Sequence, residues 1–81
     1  MSETEKEEKP LTIWVVYDSP SDHPGFFIAR MFEIYSGRSN PTDQILKHEN
    51  VDPIRKTLRN KGLIKNPRNP ADDIRIVETW L

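Results

Sequence analysis

Asp18, Asp22 and His23 fall within the polar segment Asp18-Ser19-Pro20-Ser21-Asp22-His23-Pro24-Gly25, and Arg30 and Arg38 follow on the next stretch of chain. A carboxylate beside an imidazole is the raw material of general acid–base catalysis. Two carboxylates and a histidine also offer oxygen and nitrogen ligands for a cation, but their spacing matches no metal-binding pattern. Asp and Ser ahead of proline are first of all turn formers, because their short side chains bond the neighbouring backbone. The segment therefore reads as a turn before it reads as a recognition surface, and as a recognition surface before a catalytic one. No catalytic residue, metal or cofactor is assigned. Asp18, Asp22, His23 and Arg30 are candidates for contacting a partner.

A second group is basic: Arg55, Lys56, Arg59, Lys61, Lys65 and Arg68. Residues 47–68 carry a net +5 and residues 1–9 a net −2, within a chain whose overall charge is −1. Such asymmetry marks either a polyanion-binding surface or an ordinary solvated helix face. No helix-turn-helix, zinc-finger or aromatic–glycine RNA-binding pattern accompanies it. Nucleic-acid association through these six residues is thus the alternative reading, and an acidic tail folding back over them is a further one.

The chain has no cysteine and three glycines. Disulfides and thiolate metal sites are excluded. A glycine-rich phosphate loop, a nucleophile elbow or a dinucleotide fingerprint cannot be built. No apolar stretch reaches signal-peptide or membrane-spanning length, which points to a cytoplasmic protein without a membrane partner.

These residues must be positioned by a small fold. Eighty-one residues allow one domain. Residues 1–10 hold no apolar side chain after Met1 and are expected as a disordered acidic tail. The folding unit is then 11–81. Thr12 to Tyr17 reads as a two-sided apolar strand, central in its sheet, with Trp14 and Val16 on one face. Phe26 to Tyr35 reads as its hairpin partner. Phe26, Ile28, Phe32 and Ile34 mark the expected core face of that strand, which leaves Arg30 as a charged exception unless a bulge shifts the register. Ser36 to Pro41 reads as a turn cluster, and Gln44 to His48 as a short edge strand.

Asp52-Pro53 predicts a helix N-cap followed by proline in the first turn, with Val51 just before it as a staple and Gly62 as the C-cap. Ile54 and Leu58 give this two-turn helix one apolar face. Lys65 to Pro70 reads as a loop barred from regular structure by its prolines. Ile74 to Leu81 reads as a last strand with Trp80 packed on the helix or the hairpin. The order β-β-(β)-α-β predicts an α+β fold, an antiparallel-rich sheet with one helix on one face. Seven aromatic residues exceed what a core under one helix can hold. Some are expected on an exposed sheet face, with Trp14 and Trp80 as candidates for a partner or self-association surface.

The chain resembles a group of short bacterial proteins of unknown function. They share a first strand ending in Tyr-Asp-x-Pro-x-Asp-x-Pro, here Tyr17 to Pro24. They also share a second strand like Phe27-Ile28-Ala29-Arg30-Met31-Phe32-Glu33, and an end like Ile76-Val77-Glu78-Thr79-Trp80-Leu81. The resemblance implies a common fold and joins Asp18, Asp22, Arg30 and Glu33 in one arrangement, without adding an activity. An arginine on a buried face needs a partner, so Arg30 is expected to pair with Glu33, Asp18 or Asp22. The functional expectation is a small non-enzymatic protein-interaction module, of the kind found as accessory or mobile-element-encoded factors. A small enzyme or ligand binder at the hairpin loop stands as the third reading, and requires a concave pocket there.

Overall fold

The computed structural model describes residues 11–81; the acidic segment 1–10, expected as a disordered tail, lies outside the described residues. The chain forms β1 (Leu11–Asp18), β2 (Phe27–Tyr35), β3 (Arg38–His48), α1 (Val51–Asn60), β4 (Lys65–Pro67) and β5 (Ile76–Trp80). The strands make one sheet in the order β3-β2-β1-β5-β4, and every neighbouring pair is antiparallel. This is the expected α+β fold, with β1 in the centre and α1 on one face.

Register decides which residues the helix covers. Trp14 lies opposite Met31 and Val16 opposite Ala29 across the β1–β2 pair. On the other side of β1, Trp14 faces Trp80 and Val16 faces Glu78. Ile54 and Leu58, four apart on α1, close over them, giving a core of Trp14, Val16, Ala29, Ile54, Leu58 and Trp80. Phe27, Met31 and Leu46 pack around it. The helix therefore covers the Phe27–Ala29–Met31 side of β2, not the Ile28–Arg30–Phe32 side expected from the sequence. Both sides are apolar enough to qualify, and alternation separates two faces without saying which one a helix will cover. Phe26 stands in the loop rather than in the strand.

The two-residue turn Ser36-Gly37 joins β2 to β3, with both residues at positive φ, 46° and 81°. This suits the mirror-image turn that matches strand twist in tight hairpins. The expected turn cluster is thus only two residues long, and β3 begins at Arg38. Counting pairs from the turn puts Pro41, opposite Phe32, at a position where its nitrogen faces the outer edge. The proline costs the ladder no hydrogen bond there and blunts the edge. A bulge follows between Arg30 and Phe32. The Thr42 hydroxyl fills it, donating to the Met31 carbonyl at 2.9 Å and accepting from the Gln44 N–H at 3.1 Å.

Helix α1 has its N-cap at Asn50, two residues before the expected Asp52, with Val51 already helical. Asn50 makes no side-chain cap bond; its own N–H donates to His48 Nδ1 at 2.9 Å. Asp52 lies in the first turn, where its charge still suits the positive end of the helix. At the far end the C-cap is Lys61, and Gly62 follows at φ 85°. The Gly62 N–H reaches the Arg59 carbonyl at 2.9 Å and the Leu63 N–H the Leu58 carbonyl at 3.3 Å. This double bond pattern requires the left-handed backbone that glycine supplies, and it returns Leu63 to the core.

Two further expectations are corrected. Lys65–Pro67, read as irregular, forms the short edge strand β4 against β5; Pro67 ends it, and an edge position tolerates a missing donor. Strand β5 starts at Ile76, later than expected. The Asp73 carboxylate accepts the Arg75 N–H and the Asp73 carbonyl the Ile76 N–H, both at 2.9 Å, which holds a turn there and leaves Ile74 exposed.

Candidate functional site

The hairpin loop between β1 and β2 folds over the sheet face opposite the helix. Ser19 stands at φ 51° and Gly25 at φ 83°. The Ser19 N–H donates to the Phe26 carbonyl at 2.9 Å, and the His23 N–H to the Pro20 carbonyl at 2.9 Å. The Ser19 hydroxyl also accepts the Gly25 N–H at 3.3 Å. These turns carry Asp22 back over β2, where its Oδ2 lies 3.8 Å from Arg30 Nη2 and 3.9 Å from His23 Nε2. Of the three partners expected for Arg30, Asp22 is the one the fold supplies. Asp18 is turned aside and accepts the Ser19 hydroxyl at 3.2 Å. Glu33 accepts the Tyr35 hydroxyl at 3.1 Å.

Register places Ile13, Val15 and Tyr17 of β1 beside Phe32, Arg30 and Ile28 of β2 on this open face. All but Ile28 are half-buried, and Ile28 is buried. Beneath the loop lies a cleft of about 300 Å³, walled by Tyr17, Pro20, Ile28, Phe32 and Pro41, with Asp22 and Arg30 at its polar end. A shallower hollow of about 500 Å³ continues past Arg30 over the bulge, along Pro41, Thr42, Asp43 and Ile45. Burial pushes the Tyr17 phenol above its ordinary range; Arg30 opposes this, and Asp73 and Asp22 reinforce it. The phenol therefore keeps its proton at neutral pH.

The Arg30 side chain is 32% exposed and Asp22 62%. At 3.8 Å their contact is an ion pair without a hydrogen bond, and a pair that open to water is held weakly. Among the described residues, this is the one ion pair of the Arg30 guanidinium.

Trp14 and Trp80, expected at a partner surface, lie in the core at 4% and 1% exposure. Of the aromatics, Tyr17 and Phe32 are the ones that face the open side of the sheet in the cleft. The basic group is dispersed. Arg55 is committed to Glu78, and Arg68 Nη2 donates to the Asp72 carbonyl at 3.0 Å. Arg59 and Lys61 lie 5.7 Å from the ring centres of Trp80 and Trp14, covering the aromatic end of the core. Lys56 and Lys65 are exposed.

Glu78 is the charged residue that sequence reasoning passed over. At 3% exposure it is the buried charged residue among those described. Its Oε2 accepts from Arg55 Nε at 3.0 Å and from Trp80 Nε1 at 2.9 Å, and its Oε1 accepts from Arg55 Nη2 at 2.8 Å. Burial pushes the carboxyl up, but the hydrogen bonds from Arg55 and Trp80, helped by the charges of Arg55 and Lys65, outweigh it and hold the group below its usual range. A signal was present: Glu78 alternates with Trp80, so an inward tryptophan implies an inward glutamate. This network lies on the helix side of the sheet and stabilises the fold; the cleft lies on the other.

No protein-family model matches the chain, and comparison with curated proteins and with solved structures finds no match either. No described helix is long and apolar enough to cross a membrane, and no group of three or more metal-ligating side chains comes together among the described residues.

Proposed function

We propose that this protein is a non-enzymatic interaction module that binds another protein through the open sheet face and the hairpin loop beside it. The observation that carries the reading is a face of half-buried Ile13, Val15, Tyr17 and Phe32 that no described helix covers. A small fold needs one apolar sheet face for its own core; a second one invites a partner. The loop adds Asp22 and His23 at the rim and strand β2 adds Arg30, polar groups suited to orientation and selectivity rather than bulk affinity. The nucleic-acid reading is less well supported, because Arg55 and Arg68 already serve the fold.

A photo-crosslinking residue at Val15, compared with one at Lys56 on the helix side, tests this in the native host. A discrete crosslinked protein from position 15 alone supports the reading, provided Val15→Glu abolishes it while the circular dichroism spectrum stays unchanged. Equal labelling from both positions, or none from position 15, overturns it.

A further inference from the structure

We propose that the cleft under the hairpin loop is a binding site for a monocarboxylate carried on an apolar or aromatic body, with Arg30 receiving the carboxylate. This stands on the cleft itself and not on the protein-binding reading.

Shape sets the size of the ligand. About 300 Å³ is at the lower end of the range in which small-molecule sites are found, roughly 300–1,000 Å³, so the body is a single ring or a branched chain rather than a nucleotide. The walls decide its character. Tyr17, Ile28, Phe32, Pro20 and Pro41 present ring faces and aliphatic edges, a lining that gains by shedding water onto another apolar surface.

Charge decides the head group. The guanidinium of Arg30 stands at the edge of this lining, exposed enough to be reached and buried enough to be directed. Its planar fork of donors matches a carboxylate in two parallel hydrogen bonds. Asp22, its present counter-ion, stands off at 3.8 Å on a largely exposed side chain and engages no donor of the fork by hydrogen bond. One cation with an aspartate beside it does not balance a phosphate dianion, which the proteins that bind it meet with several donors or a helix end. It balances one carboxylate once the ligand has displaced Asp22 from the guanidinium. The neutral Tyr17 phenol on the cleft wall supplies a further O–H donor within the same lining.

Two sources share this chemistry: a free aromatic or branched carboxylic acid, and the terminal carboxylate of a peptide ending in an apolar residue. The experiment titrates the ¹⁵N-labelled full chain with 3-phenylpropionate, 3-phenylpropanamide, acetate and N-acetyl-Gly-Phe with a free carboxylate. The acid is expected to shift the resonances of Tyr17, Arg30 and Phe32 saturably, with the amide at least about tenfold weaker, the loss expected for one charged, hydrogen-bonded contact, and acetate at least about tenfold weaker for want of the apolar body. A peptide acid that binds more tightly than 3-phenylpropionate assigns the peptide source, and the reverse order assigns the free acid. Arg30→Gln is expected to abolish the preference of acid over amide. Asp22→Asn, on an exposed loop where folding is little affected, removes a competitor and is expected to tighten the acid about two- to fivefold. Equal binding of acid and amide, no shift at millimolar 3-phenylpropionate, or weaker binding by Asp22→Asn overturns the proposal. If Arg30→Gln does not fold, the Asp22→Asn result and the acid–amide comparison on the native chain decide it.

Discussion

Removing Arg55 tests the fold where its largest single electrostatic commitment lies. Arg55→Met keeps most of the aliphatic stem against the core and deletes the fork that bonds both oxygens of Glu78. Glu78, at 3% exposure, is left with Trp80 Nε1 as its hydrogen-bond donor. Breaking one partner from a buried pair costs roughly 3–5 kcal/mol. Arg55 itself is 29% exposed, and water entering its place offsets part of that. We expect about 2–3 kcal/mol at pH 7 from urea denaturation, against a total of about 4–10 kcal/mol for a domain of this size.

The pH dependence supplies a second reading of the same group. In the native protein Glu78 is held below its unfolded value of about 4.3. Its contribution is therefore present in full above that value and is lost as pH falls through the lower folded value. In Arg55→Met the upward push of burial is no longer outweighed by the guanidinium, so the carboxyl moves up. The folded variant then binds a proton more readily than its unfolded chain, and the penalty shrinks as pH falls from 7 toward 4. The double variant Arg55→Met/Glu78→Gln has no buried charge and keeps an oxygen for Trp80, so it is expected to recover at least half of the loss. A cost below about 0.5 kcal/mol, which is what an exposed pair gives, or a penalty that does not change with pH, refutes the assignment of Glu78 as a buried charge that depends on Arg55.

Two smaller perturbations probe the local devices that set the architecture. Gly62→Ala places a Cβ in open space but at a backbone φ of 85°, so its whole cost is conformational; thermal unfolding is expected to show a loss of about 1–2 kcal/mol, and no loss would mean that the helix end does not depend on the left-handed residue. Thr42→Val removes the hydroxyl that bridges Met31 and Gln44 in the bulge. A loss of about 1 kcal/mol is expected, with faster amide exchange at Gln44 and not at Leu58; uniform exchange across both would refute a local role.

Local readings carried far in this chain. The two apolar runs around a loop of Asp, Ser, Pro and Gly specify the β1–β2 hairpin, since alternating apolar residues and turn formers act over a few residues. Ile54 and Leu58 with Gly62 specify the helix and its end for the same reason. Element boundaries were less legible: Pro41 and Pro67 look like strand breakers, and only an edge position makes them harmless. Arg30 was legible as a charged exception on an apolar strand face, but that face is the open one, and its contact with Asp22 is an exposed pair rather than the buried one expected.

What the sequence by itself determined is therefore the class of fold and the central place of β1, while for Arg30 it left Glu33, Asp18 and Asp22 as alternatives between which the fold chose. The tertiary structure alone decided which side of β2 the helix would cover, because both sides are apolar and the choice is made by residues of α1 and β5 far away in sequence. That one choice put Trp14, Trp80 and Glu78 inside, and left Tyr17, Arg30 and Phe32 around an open cleft. Covering a face is a cooperative, long-range event, and no local pattern in a strand records it.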